Sequence, residues 1–186
     1  MSELFKSVQA DLFRINGEHF SLGALYRGLK SKGFRFLLCY RFASLSNNFV
    51  IKLVSRILIR HYTFKFGFQI PLQTKIGKGF FIGHFGTIVI SANATIGNNC
   101  NIAHNVTIGS ARGKRSGAPI IGNTVWIGTG AVLVGKITIG DNVLIAPNAF
   151  VNFDVPAHSI VLGNPGKIIP RNDPTEFYIN NIMNFS

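Results

Sequence analysis

The stretch IGNTVWIGTGAVLVGKITIGDNVLIAPNAFV, residues 121–151, sets an aliphatic side chain at every sixth position: Ile121, Ile127, Leu133, Ile139, Ile145 and Val151. The same period runs earlier through Ile70, Ile76 and Ile82, and then, two residues out of step, through Ile90, Ile96, Ile102 and Ile108. A second register, small or β-branched, lies four residues on at Ala94, Cys100, Val106, Val125, Ala131, Val143 and Ala149. So short and fixed a period marks a solenoid, in which each unit buries its apolar face by stacking on its neighbours. Short strands joined by tight corners account for both registers. The aliphatics point inward, and the glycines that follow many of them (Gly77, Gly97, Gly122, Gly140) are read as corner residues chosen for positive φ. Cys100 then fills a core position, where packing and not reactivity decides its role.

Two interruptions break the period, Gly83 to Val89 and Ser110 to Pro119, and the second carries Arg112, Lys114 and Arg115. In a solenoid such insertions leave the stack as loops. Because both flank the segment that holds His84 and His104, they are expected to form one site.

Residues 1–66 read as helical. Leu4, Phe5, Val8 and Leu12, then Leu22, Leu25, Tyr26 and Leu29, then Phe36, Leu37, Tyr40 and Ala43 recur at spacings of three and four. Val50, Leu53, Val54, Ile57 and Leu58 continue the pattern, interleaved with Lys52, Arg56 and Arg60. These faces are expected to pack on the repeat domain or on each other, with docking on a membrane surface as the alternative. The repeat domain occupies 67–169, and the tail 170–186, which has no period, is expected to wrap or cap the last coil.

With 47% hydrophobic residues in 186, the chain has the composition of a folded protein. No apolar run reaches the roughly 18 to 20 residues that cross a bilayer, and the N-terminus lacks a signal-peptide pattern. These features point to the cytoplasm, where the basic helices could touch the inner face of the membrane. Two cysteines make neither a disulfide framework nor a zinc site. The net charge of +12 is unevenly placed, since fifteen Lys and Arg and no Asp or Glu fall between positions 19 and 140. Such a field calls for something anionic nearby. None of the nucleic-acid motif patterns is present, so nucleic acid is not the expected partner.

IGKGFFIGHFGTIVI at 76–90, NVTIG at 105–109, IGNTVWIGTGAVLVG at 121–135 and VPAHSIVLGNPGKII at 155–169 resemble the hexapeptide-repeat acyltransferases. Within them the likeness is to the serine acetyltransferases and their polysaccharide O-acetyltransferase relatives. The resemblance implies a left-handed parallel β-helix with three hexads per coil, assembled as a homotrimer with active sites between subunits. It implies acetyl-CoA as co-substrate, no metal, and a histidine that activates an acceptor hydroxyl for direct attack on the thioester.

His84 stands at the family's catalytic position. A hydroxyl is too weakly acidic to attack a thioester unaided, and general-base help is worth about 10²- to 10⁴-fold. His104, twenty residues later, falls near the spacing of adjacent coils and is a second catalytic candidate. By the same resemblance, Gly128, Thr129, Ala131, Ala146 and Pro147 would line the path of pantetheine, and Lys167 would meet the cofactor phosphates. Arg112, Lys114 and Arg115 are the candidate acceptor-binding cations.

The sequence departs from the serine enzymes at Gln69 and Gly83, where they carry acids, and at Ala118, where they carry a histidine. An amino-acid acceptor brings an ammonium group that needs a carboxylate when buried. These departures favour a saccharide hydroxyl as acceptor, with serine as the alternative. A zinc carbonic anhydrase on the same architecture would need a third histidine. A purely structural solenoid would have no reason to break its period at His84.

Overall fold

The computed structural model describes residues 2–183 and shows four helices followed by a parallel β-solenoid of five coils. The helices are α1 (Glu3–Asn16), α2 (Leu22–Gly28), α3 (Lys32–Leu45) and α4 (Phe49–Phe66). Each starts where a side-chain oxygen can accept a bond from an unpaired backbone N–H. Ser2, Ser21, Ser31 and Asn48 cap Phe5, Ala24, Phe34 and Ile51 respectively. Left-handed Gly17 and Gly67 end α1 and α4.

The coils run β1 (Phe68–Gln69), β2 (Lys75–Ile76), β3 (Phe81–Ile82); then β4 (Ile88–Ile90), β5 (Thr95–Ile96), β6 (Asn101–Ile102); then β7 (Thr107–Gly109), β8 (Ile120–Ile121), β9 (Val125–Ile127). The fourth coil is β10 (Val132–Val134), β11 (Thr138–Ile139) and β12 (Val143–Ile145), and the fifth holds β13 (Phe150–Val151) and β14 (Ser159–Leu162). Like-numbered strands stack into three parallel sheets, β1-β4-β7-β10-β13, β2-β5-β8-β11 and β3-β6-β9-β12-β14. β15 (Lys167–Pro170) closes the third by pairing antiparallel to β14. This is the hexapeptide β-helix that the period implies. Ile70 aligns with Ile90 and Ile108 along the first sheet, and Ile82 with Ile102, Ile127 and Ile145 along the third. Except for the half-buried Ile76, all the period-six aliphatics are buried, as is the whole second register.

The corners correct one expectation. The left-handed residues stand three places after the aliphatics, at Gly79, Asn99, Asn105, Thr124, Gly130, Asn142 and Asn148. Asn and Gly are the residues that reach this conformation at least cost. The glycines one place after the aliphatic serve close stacking instead. A Cβ on Gly97 would lie 2.5 Å from the Gly122 carbonyl oxygen of the next coil.

Helices α1, α3 and α4 cover the first coil, whose strands would otherwise be open sheet edges. Arg41 pairs with Asp11 inside this joint at 2.8 Å and donates to the carbonyls of Ile76 and Gly77 at 2.7 and 2.5 Å. The Asp11 carboxylate also accepts from Phe80 N–H at 3.0 Å. Phe36 meets Phe68 edge-on at 5.3 Å. The helical faces are only partly covered: Phe36, Leu37, Tyr40 and Ala43 are buried, but Leu22, Tyr26, Leu29, Val50, Leu53, Val54, Ile57 and Leu58 are exposed. The tail returns along the outside of the third sheet to α1. Tyr178 packs on Trp126 at 4.8 Å, the Tyr178 carbonyl accepts from Asn101 at 3.0 Å, and Arg14 donates to the Asn180 carbonyl.

Candidate active site

After each strand of the third sheet the chain turns a corner, and the corners stack. Ala103 N–H donates to the Ile127 carbonyl at 3.0 Å, Gly130 N–H to His104 at 3.2 Å, Gly128 N–H to Ile145 at 2.8 Å and Asn148 N–H to Thr129 at 2.9 Å. One edge of the solenoid therefore carries, coil above coil, Gly83-His84, Ala103-His104, Gly128-Thr129 and Ala146-Pro147. The first of these corners is the longer: Ile70 to Ile90 is 20 residues, whereas Ile121 to Ile139 is 18. The two extra residues push His84 and Phe85 out into solvent. Gly86, at φ 139°, brings the chain back and donates to the Phe66 carbonyl at 3.0 Å, which ties the ledge to the end of α4. A Cβ at Gly86 would sit 3.1 Å from that of His104.

The two imidazoles meet edge to face with centroids 5.8 Å apart, His84 exposed and His104 half-buried. His104 Nδ1 is buried without a hydrogen-bond partner among the described residues. Lys32, from the start of α3, lies 3.2 Å over the ring of Phe85, the residue after His84. The carboxylates nearest in kind are engaged elsewhere: Asp11 with Arg41, Glu18 with Arg27, Glu3 with Lys78 at 3.0 Å and Asp141 with Asn123 N–H at 2.6 Å. Gln69 ends β1 exposed.

Gly128, Thr129, Ala146 and Pro147 share the histidine edge. The Ala131 side chain faces the core, so only its backbone can line this edge. Lys167 lies exposed at the start of β15. Beside Pro147, Trp126, Leu144, Ile160, Leu162, Phe177 and Tyr178 line a groove of about 390 Å³. It went unread in the sequence, although Trp126, Leu144 and Ile160 share one outward register on neighbouring strands, an apolar row where a solvated face would be polar.

The basic loop is elsewhere. It leaves between β7 and β8, at the corner joining the first and second sheets, and folds back as a bridge between Ala111 and Gly117. Arg112, Lys114 and Arg115 are exposed there; the Arg115 carbonyl accepts from Lys136 N–H at 3.0 Å, and its guanidinium lies 3.9 Å from Asp154. Within one chain the two interruptions do not form one site, because they leave the solenoid at different corners. His158 Nδ1–H donates to the Asn172 carbonyl at 2.7 Å, and His61 is exposed on α4. Burial pushes the Cys100 thiol up to about 12 and raises Cys39 as well, so neither competes as a nucleophile. Among the described residues no group of three or more His, Cys, Asp or Glu gathers to hold a metal ion.

The family model described as bacterial transferase hexapeptide (six repeats) matches residues 118–152. The serine acetyltransferase of Helicobacter pylori strain 26695 is 37% identical over 142 residues, covering 75% of this chain and 82% of that protein. That of Synechococcus elongatus is 36% identical over 174 residues, covering 90% and 70%. The Neisseria gonorrhoeae serine acetyltransferase structure superposes with a TM-score of 0.73 at 31% identity, over 91% of this chain and 66% of that one. Its complex with serine gives 0.73 and 31% over 90% and 69%. This chain belongs to the serine acetyltransferase family of acyltransferases, enzymes that use acetyl-CoA as co-substrate.

Proposed function

We propose that this chain moves an acetyl group from acetyl-CoA to an alcohol, with His84 as general base, and that L-serine is the first acceptor to test. The observation that carries the chemistry is the pairing of exposed His84 with half-buried His104 on the ledge made by the first break in the period. The acetyl thioester supplies the electrophile. His84 takes the proton from the acceptor hydroxyl as its oxygen bonds to the acetyl carbon, and returns it to the departing sulfur, so no acyl-enzyme forms. His104, half-buried beside His84, contacts the acceptor through the exposed part of its ring. Gly128, Thr129, Ala146 and Pro147 give the donor a track along the same edge, with the Ala131 backbone beside it and Lys167 at its far end. L-serine leads because the relatives that cover the chain are serine acetyltransferases.

A second acceptor, a saccharide hydroxyl, is favoured by one specific feature. Gln69, Gly83 and Ala118 stand where the serine enzymes carry ionisable groups, and no Asp or Glu occurs between positions 19 and 140. A buried ammonium would find no carboxylate from that interval. Arg112, Lys114 and Arg115, which lie away from the histidine edge within one chain, are assigned to an acidic acceptor at a subunit boundary of the homotrimer that the family resemblance implies. Thiol release from acetyl-CoA with L-serine and with a panel of neutral and acidic sugars decides between the acceptors. Release with L-serine alone establishes the first. Release with a sugar and none with L-serine establishes the second.

A further inference from the structure

Helix α4 lies against the molecule through a narrow side, Ser55, Ile59 and Phe66. Its opposite side is apolar and bare: Val50 is 63% exposed, Val54 50%, Ile57 61% and Phe64 79%. Their spacings of four, three and seven put them on one stripe of the helix. Exposed His61 lies on the same stripe between Ile57 and Phe64; scattered exposed aliphatics need no explanation, but a row of this length marks a contact surface. A groove of about 430 Å³ between α3 and α4, lined by Leu38, Cys39, Phe42, Val50, Val54 and Leu58, joins the same surface.

We propose that this face docks on an anionic lipid bilayer. Charge chooses the occupant. α4 carries Lys52, Arg56, Arg60 and Lys65 and no acid at all. A second copy of this helix would bring four more cations and no acid to neutralise them, whereas anionic headgroups neutralise them while the stripe enters the acyl boundary. No described helix is long and apolar enough to cross a membrane, so α4 lies in the surface plane. Its C-terminal end holds the histidine ledge through the Phe66 carbonyl and Gly86 N–H, which sets the site beside the headgroup layer. The proposal does not depend on which acceptor is used.

The test is co-sedimentation of the full chain with phosphatidylcholine vesicles, with and without phosphatidylglycerol. The stripe variant is Ile57→Glu and the charge variant Arg56→Glu/Arg60→Glu; both change exposed side chains remote from the ledge, and their thermal melts should match the parent. Expected are pelleting with the anionic vesicles only, weakening as salt shortens the screening length, and loss of pelleting in both variants. Removing one cation should reduce partitioning roughly fivefold. Absence of pelleting with anionic vesicles overturns the proposal, as does equal pelleting with neutral ones. Sedimentation equilibrium supplies the competing outcome: an assembly of the parent that Ile57→Glu splits in two shows that the stripe holds a second copy, and the bilayer reading fails.

Discussion

Replacing Arg41 by Met tests how the helices are joined to the solenoid. The Arg41 and Asp11 side chains are 4% and 1% exposed. Arg41 Nε and Nη2 bond the two Asp11 oxygens at 2.8 and 3.1 Å, and the remaining donors reach the Ile76 and Gly77 carbonyls. Met fills much of the stem's volume but leaves a carboxylate in the interior without its bonded cation, held by the backbone N–H groups of Gly79 and Phe80 and by the more distant charge of Arg14. Burial pushes the Asp11 carboxyl up, and Arg41 together with those N–H groups pulls it back toward ionisation. Breaking one side of such a pair costs about 3 to 5 kcal/mol. For a domain of this length that lowers Tm by roughly 6 to 20 °C, at about 2 to 4 °C per kcal/mol. The double variant Arg41→Met/Asp11→Asn removes the stranded charge as well, and should recover about 0.5 to 3 kcal/mol relative to the sum of the single changes. Thermal unfolding followed by circular dichroism measures all four proteins of the cycle: the parent, Arg41→Met, Asp11→Asn and the double variant. Strict additivity, or a single-variant loss below about 1 kcal/mol, would refute the claim that this pair anchors the joint.

Gly97→Ala, which drives a Cβ into the Gly122 carbonyl, should cost about 1 to 3 kcal/mol, read as a lowered Tm with unchanged kinetics at room temperature. Native protein treated with iodoacetamide at pH 8 should leave Cys100 unmodified by mass spectrometry, since burial holds its thiol near 12, and should modify it only on unfolding. Lys114→Ala/Arg115→Ala should raise KM for an acidic acceptor with little change in kcat, and a neutral acceptor should be unaffected. His104→Ala should weaken acceptor binding about tenfold while His104→Gln, which keeps a polar group at the buried position, restores part of it.

The solenoid was legible because its core is one-dimensional. Each inward position sees the same neighbours one coil away, so Ile121 through Val151 repeat a single packing solution that a period exposes. Corner chemistry was half legible. Glycine at Gly97 is visible in the sequence, but whether it answers a positive φ or a 2.5 Å approach depends on the neighbouring coil. The histidine pair was readable because the twenty-residue separation of His84 and His104 matches the lengthened coil. The basic loop was misplaced, since sequence gives the size of an insertion but not the corner from which it leaves. The helical faces were half legible: Phe36, Leu37, Tyr40 and Ala43 pack as expected, but a stripe such as Val50 to Ile57 signals amphipathicity without saying what covers it.

The most direct test of the account is the initial rate of CoA thiol release, at saturating acetyl-CoA and with the best acceptor, for the parent and for His84→Ala. General-base catalysis by His84 predicts a fall in kcat of about 10²- to 10⁴-fold in a variant with an unchanged melting curve. A kcat within a few-fold of the parent would contradict it and move the base to another residue of the ledge.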